Sequence, residues 1–181
     1  VGKATDGRKL VSMAQEIEPD VIVADMTMPE LNGLDAARQI LATLPDTRIV
    51  LLTVHEDAML AAEALRSGVS GFLVKRSAAG ELQRALREAL AGRTYLTPLV
   101  ADGDSELLLL ETGDPSPIDR LTPREREVLQ LLAEGYSMKE VGSRLGITAR
   151  TVAFHKYQMS KKLDVRSTAE LVRFAVDHRL A

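Results

Sequence analysis

Three side chains in the first half of the sequence have the types and spacing for phosphoryl chemistry. Asp25 closes the apolar run 21–24, Thr53 lies near the end of a second run over 49–54, and Lys75 follows a third over 71–74. Short apolar runs separated by amphipathic stretches read as buried parallel strands, and the carboxyl ends of such strands converge on one crevice. A carboxylate, a hydroxyl and an ammonium gathered there suit an aspartate that becomes phosphorylated. The carboxylate attacks phosphorus, the lysine pairs with the added charge, and the hydroxyl donates to a phosphoryl oxygen. A buried Asp–Lys ion pair beside a strand threonine is the plainer alternative.

A second group lies on a helix that the periodicity predicts over 149–163. At 100° per residue Val152, Met159 and Leu163 share one face, which must be the core side. The opposite face carries Arg150, Phe154, Tyr157 and Lys161, with Ala153 and Gln158 at its edges. Outward aromatics among cations fit a duplex groove, with rings on thymine methyls and sugars and with Arg150, Lys156 and Lys161 on phosphates or guanine. Lys139, near the start of the preceding helix, is a further phosphate candidate or else a solvated surface lysine. His155 reads as a packing or phosphate-contacting histidine rather than a catalytic one.

The elements that must position these residues fall into two kinds. Helical spacing over 7–17, 34–44, 57–66 and 78–91 alternates with the three strands, which predicts a parallel sheet covered by helices, a doubly wound α/β domain over 1–92. Residues 93–119 read as a linker, with a short helix near 105–110 and a Pro/Asp/Ser/Gly tether, ETGDPSPID. From 120 to 181 the period is helical throughout. Thr122 with Glu125, Ser137 with Glu140 and Ser167 with Glu170 each put a hydroxyl at an N-cap and a glutamate three residues on, where the two satisfy unpaired backbone N–H groups. Pro123 strengthens the first start, and Thr148 opens the fourth helix without the glutamate. Gly146-Ile147-Thr148 leaves only a tight turn between the second and third helices, the spacing of a helix-turn-helix.

Charge follows the same division. Residues 1–120 hold 12 Lys+Arg against 19 Asp+Glu, a net −7, and residues 121–181 hold 11 against 7, a net +4. An acidic body with a basic end suggests a polyanion partner. With Cys 0 there is neither a disulfide framework nor a thiolate metal site, and His 3 offers little for zinc. No stretch is long and apolar enough for a membrane span, and no signal segment opens the chain, so a reducing cytoplasm is the expected location and no membrane partner is expected.

Taken together, Asp25-Met-Thr-Met28-Pro29 through Gly33, LLTVHE with Thr53, and GFLVK with Lys75 resemble the receiver domain of a two-component response regulator. LTPREREVL from Leu121, Lys139-Glu140, Thr151-Val152 with His155, and Lys162-Leu163 resemble the LuxR-type helix-turn-helix of the NarL/FixJ family. The resemblance implies a flavodoxin-like fold, with Asp25 as phosphoacceptor, Thr53 and Lys75 sensing the phosphoryl group, and Phe72 as the aromatic whose rotamer reports it. Phe72 reads equally well as plain core. It implies that the sequence enters the fold after the first strand, so that VGKATDG is the second strand and its exit. The Mg²⁺ ligands left by analogy are then the Asp25 carboxylate and the Thr27 carbonyl, and Mg²⁺ is expected only if an acidic pair after the first strand is supplied.

The implied DNA-binding residues are Lys139, Arg150, Thr151, Ala153, Phe154, Lys156, Tyr157 and Lys161. Family members often carry a basic residue where this chain has Ala153, so base preference does not transfer. Over 168–179, Leu171, Val172, Ala175 and Val176 share one side that would pair two copies on DNA, or be ordinary bundle core. The implied partners are double-stranded DNA, a sensor histidine kinase and a second copy of the chain. The function expected is phosphorylation-controlled transcription regulation, with a phosphorylation-independent DNA-binding regulator as the alternative. An enzyme using Asp25 as nucleophile is disfavoured, because the acid/base position two residues on is Thr27. A lactone-sensing receptor is disfavoured by the scarcity of aromatics.

Overall fold

A computed structural model of the chain describes residues 1–101 and 117–180, and these divide into two compact units. In the first, β1 (Val21–Asp25), β2 (Arg48–Thr53), β3 (Gly71–Val74) and β4 (Tyr95–Leu96) form one parallel sheet in the order β1-β2-β3-β4. The central strands are apolar on both sides because both sides are covered. Ile49 and Leu51 of β2 and Phe72 and Val74 of β3 face α1 (Gly7–Ile17), α2 (Gly33–Thr43) and α3 (Ala58–Arg66). On the other side Val50 and Leu73 pack with Ala85 and Ala89 of α4 (Lys75–Leu90) and with Tyr95. Helices on both faces make this a doubly wound α/β fold.

Several boundaries differ from expectation. Residues 1–4 join no strand, since a ladder needs a neighbour and none among the described residues lies beside them; β1 pairs only with β2. The helix expected from 78 begins at Lys75, directly after β3, with no side-chain cap at Val74. The linker expected from 93 begins later: β4 pairs with β3, and Val100 of α5 (Pro98–Ala101) is buried in the sheet core. A two-residue strand is too short to show a period, so only its pairing reveals it. The short helix expected near 105–110 lies outside the described residues.

The second unit is a 3₁₀ turn (Pro117–Arg120) followed by α6 (Pro123–Ala133), α7 (Met138–Leu145), α8 (Ala149–Leu163) and α9 (Thr168–Asp177). Leu129, Leu131, Val141, Val152, Met159, Leu171 and Ala175 form its core. The capping boxes at Thr122/Glu125 and Ser137/Glu140 are both closed. At the third, Ser167 accepts from the Glu170 amide as expected, but the Glu170 carboxylate takes the amide of Arg166, at 2.9 Å, rather than that of Ser167. Gly146, at φ 64°, closes α7, and a Cβ on Gly142 would stand 2.7 Å from the Ile147 carbonyl oxygen, so the tight turn needs glycine at both places. Among the described residues no helix is long and apolar enough to cross a membrane.

Candidate functional site

The parallel register brings the three expected side chains to one edge of the sheet. Asp25 stands opposite Leu52 and Thr53 opposite Val74, so Asp25, Thr53 and Lys75 leave adjacent strands at the same level. The Lys75 Nζ donates to Asp25 Oδ2 at 2.5 Å, and the Thr27 amide donates to Asp25 Oδ1 at 3.2 Å. The lysine and aspartate side chains keep 39% and 35% exposure, so the pair opens to solvent and is not the buried ion pair of the plainer reading. An exposed pair of this kind contributes at most about 1 kcal/mol to stability. Thr53 is buried, and its hydroxyl accepts from the His55 amide at 3.1 Å. Phe72 is fully buried and packs with the core on the α1–α3 face.

Backbone geometry holds Asp25 in place. The Gly33 amide donates to the Met26 carbonyl at 2.8 Å, and a Cβ at Gly33 would overlap the Asp25 carbonyl oxygen. Only glycine lets the first turn of α2 approach the strand end so closely. Arg38 braces the same helix against α3, with Nη1 on Asp35 at 3.1 Å, Nη2 on Glu63 at 2.9 Å and Nε on Ser67 Oγ at 3.0 Å. Burial works against its charged form, but the Asp35 and Glu63 carboxylates outweigh that and hold the guanidinium above the usual arginine range. Sequence reading missed this brace. Its only local signal is the Asp35–Arg38 spacing; the partners on α3 are supplied by folding.

The donor set for a divalent cation is short. Asp25 brings one carboxylate, already facing Lys75, and Thr27 one carbonyl, and no group of three His, Cys, Asp or Glu that could hold a metal occurs among the described residues. The described residues therefore do not by themselves make a Mg²⁺ site.

In the helical unit α8 presents the face its periodicity predicts. Val152 and Met159 are buried, while Arg150, Ala153, Phe154, Tyr157 and Lys161 are exposed and Thr151, His155 and Lys156 are half-buried. The Lys161 ammonium lies 4.8 Å from the centroid of the Tyr157 ring. Lys139 is exposed near the start of α7. Lys162 does a different job: its Nζ donates to Glu125 Oε2 at 2.6 Å, and that same carboxylate caps the Thr122 amide at 2.7 Å. Burial pushes the Glu125 carboxyl up, but the Lys162 ammonium and the Thr122 cap overcome it and hold it below the ordinary value. On α9, Leu171 and Ala175 are fully buried in the unit's own core, which takes them out of any outward pairing face; Val176 is 55% exposed and Val172 half-buried.

A parallel sheet with helices on both faces and a carboxylate, hydroxyl and ammonium at its carboxyl edge defines a receiver, and the four helices with an outward cationic α8 define a helix-turn-helix unit. The response regulator receiver domain family matches residues 1–87, and the luxR family of bacterial regulatory proteins matches residues 119–175. Response regulator GacA of Pseudomonas aeruginosa is 31% identical over 98% of this chain and 83% of its own. Response regulator UvrY of Escherichia coli K12 is 30% identical over 99% of this chain and 83% of its own. Among solved structures, RcsB of Salmonella enterica serovar Typhimurium, bound to promoter P1flhDC in the presence of the phosphomimetic BeF3⁻, is similar with a TM-score of 0.57 at 25% identity, covering 96% of this chain and 83% of that one. A LuxR-family two-component response regulator from Aurantimonas sp. SI85-9A1 gives a TM-score of 0.56 at 32% identity over 60% of this chain and 78% of its own. The chain belongs to the two-component response regulators that join a receiver domain to a LuxR-type DNA-binding domain.

Proposed function

We propose that this regulator binds double-stranded DNA through α8 under the control of phosphorylation at Asp25. The observation that carries this reading is the solvent-open Asp25–Lys75 contact at the carboxyl edge of the sheet, where an ion pair contributes little to the fold and a nucleophile is accessible. The phosphoryl donor is the phosphohistidine of a sensor kinase. An Asp25 oxygen attacks phosphorus, the P–N bond breaks with its electron pair going to the histidine, and Lys75 pairs with the charge Asp25 acquires. The Thr53 hydroxyl donates to a phosphoryl oxygen, and Phe72, three residues before Lys75, responds to the movement. Thr27, two residues after Asp25, carries no acid/base group, so the acyl phosphate serves as a signal and not as a turnover intermediate.

Lys139, Arg150, Thr151, Lys156 and Lys161 contact the duplex. Two copies bind it as a dimer, pairing through the outward part of α9, Val172 and Val176. DNA and the kinase's phosphotransfer domain place the chain in the cytoplasm. Treating the full chain with a small-molecule phosphodonor and measuring intact mass tests the site. One phosphoryl group is expected on the wild type and none on Asp25→Asn; label retained by the variant would sink the assignment. The short cation donor set favours a second reading, a regulator that binds DNA without phosphorylation, and an unlabelled wild type that still binds DNA selects it.

A further inference from the structure

We propose that α8 reads DNA through thymine methyl groups, with the Phe154 and Tyr157 rings as the reading surfaces; this rests on the DNA-binding reading above. The rings are 57% and 56% exposed on a helix whose other large apolar side chains turn to the core, Val152 and Met159 buried and Leu163 half-buried against it. Three residues apart, they lie on one helical face, and the exposed Ala153 beside them leaves the backbone low enough for a partner to approach both. Neither ring supports the core, so the apolar area they expose belongs to whatever covers this face.

Charge narrows what that is. The sequence of α8, ARTVAFHKYQMSKKL, contains no acidic residue, and of its four cations only Lys162 is drawn inward, onto Glu125. The Lys161 ammonium lies over the Tyr157 ring, which steadies the ring and sets a positive charge beside it. The covering partner must therefore be anionic at its rim and apolar at its centre. A DNA major groove has both properties: phosphates along its walls, and on its floor the C5-methyl of thymine, the one apolar group that a standard base presents there. Arg150 is the only side chain on this face with a bidentate fork suited to guanine. The half-site is thus expected to carry thymines opposite the two rings.

The test uses the full chain. Duplexes are selected from a random-sequence pool by binding, and the recovered duplex is remade with deoxyuridine replacing thymidine one position at a time, which removes the methyl and keeps the base pairing. Affinity is expected to fall about three- to fivefold at each methyl a ring covers. That penalty should disappear in Phe154→Ala or Tyr157→Ala at the corresponding position and persist in Tyr157→Phe, while the salt dependence of binding stays that of the wild type because no charge has changed. Tight binding indifferent to uracil at every position would overturn the thymine reading and leave DNA binding standing. A penalty unchanged in Phe154→Ala and Tyr157→Ala would overturn the assignment to these rings, and recovery of no duplex at any salt concentration would overturn both readings.

Discussion

In the sheet unit, the side chains that meet at the crevice come from positions 25, 53 and 75 and are united only by strand register. In the helical unit, every candidate DNA-contacting side chain except Lys139 belongs to the 15 residues of α8, where the 3.6-residue repeat sets which of them share a face. The first arrangement depends on long-range packing. Any loss of register would separate Asp25 from Lys75, while each residue kept its local conformation. The second depends mainly on one helix staying wound and on one buried stripe facing the core. Tertiary damage should therefore silence the crevice well before it alters the character of the α8 face.

The sharpest test of that contrast is Phe72→Ala. It removes a fully buried ring from the sheet core and should cost about 3–5 kcal/mol. Hydrogen exchange read separately over the two units should show the loss in the sheet unit, with protection of α8 unchanged; equal loss in both would break the comparison. Gly33→Ala should cost about 3 kcal/mol by forcing α2 away from the Asp25 carbonyl, and should move the Asp25–Lys75 contact as well. A chemical shift of the Lys75 ammonium identical to wild type would contradict this.

Within the helical unit, Glu125→Gln should cost about 1.5–3 kcal/mol at neutral pH by weakening the Lys162 bond. The native Glu125 carboxyl is depressed, so its contribution is fully present above the ordinary carboxylate range and is lost as pH falls through the native value. Acid titration of wild type and variant should therefore converge at low pH, and curves that remain parallel would refute the pairing. Ser137→Ala should cost about 1 kcal/mol of α7 stability through its cap. The smallest structural effect is expected for Lys156→Ala or Lys161→Ala, which should leave stability near wild type and reduce the log–log salt slope of DNA binding by about one. A slope that does not change would remove that lysine from the phosphate contacts.

These differences also explain what could be read from the chain in advance. Val152 and Met159 inward with Phe154 and Tyr157 outward follows from helical periodicity. Thr122 and Ser137 announce helix starts because a cap and its glutamate act within one turn. Leu171 and Ala175 read from the sequence either as a pairing side or as bundle core, and they lie in the core, because periodicity identifies an apolar stripe without saying what covers it. Arg38 carries no local sign of its reach to Glu63 and Ser67, and no pattern within α8 shows that Lys162 pairs with Glu125.

The sequence by itself determined the two kinds of unit, the strand exits at Asp25 and Thr53, and the outward face of α8, since apolar runs, the 3.6-residue period, caps and charge act over a few residues. Only the tertiary structure decided that Lys75 opens a helix while holding Asp25, that β4 extends the sheet past the expected domain end, and that Gly33 must lack a side chain. Each of those depends on atoms brought together from distant positions; the strand pattern tells that Asp25, Thr53 and Lys75 share a crevice, but not which atoms bond there or how closely the backbone approaches.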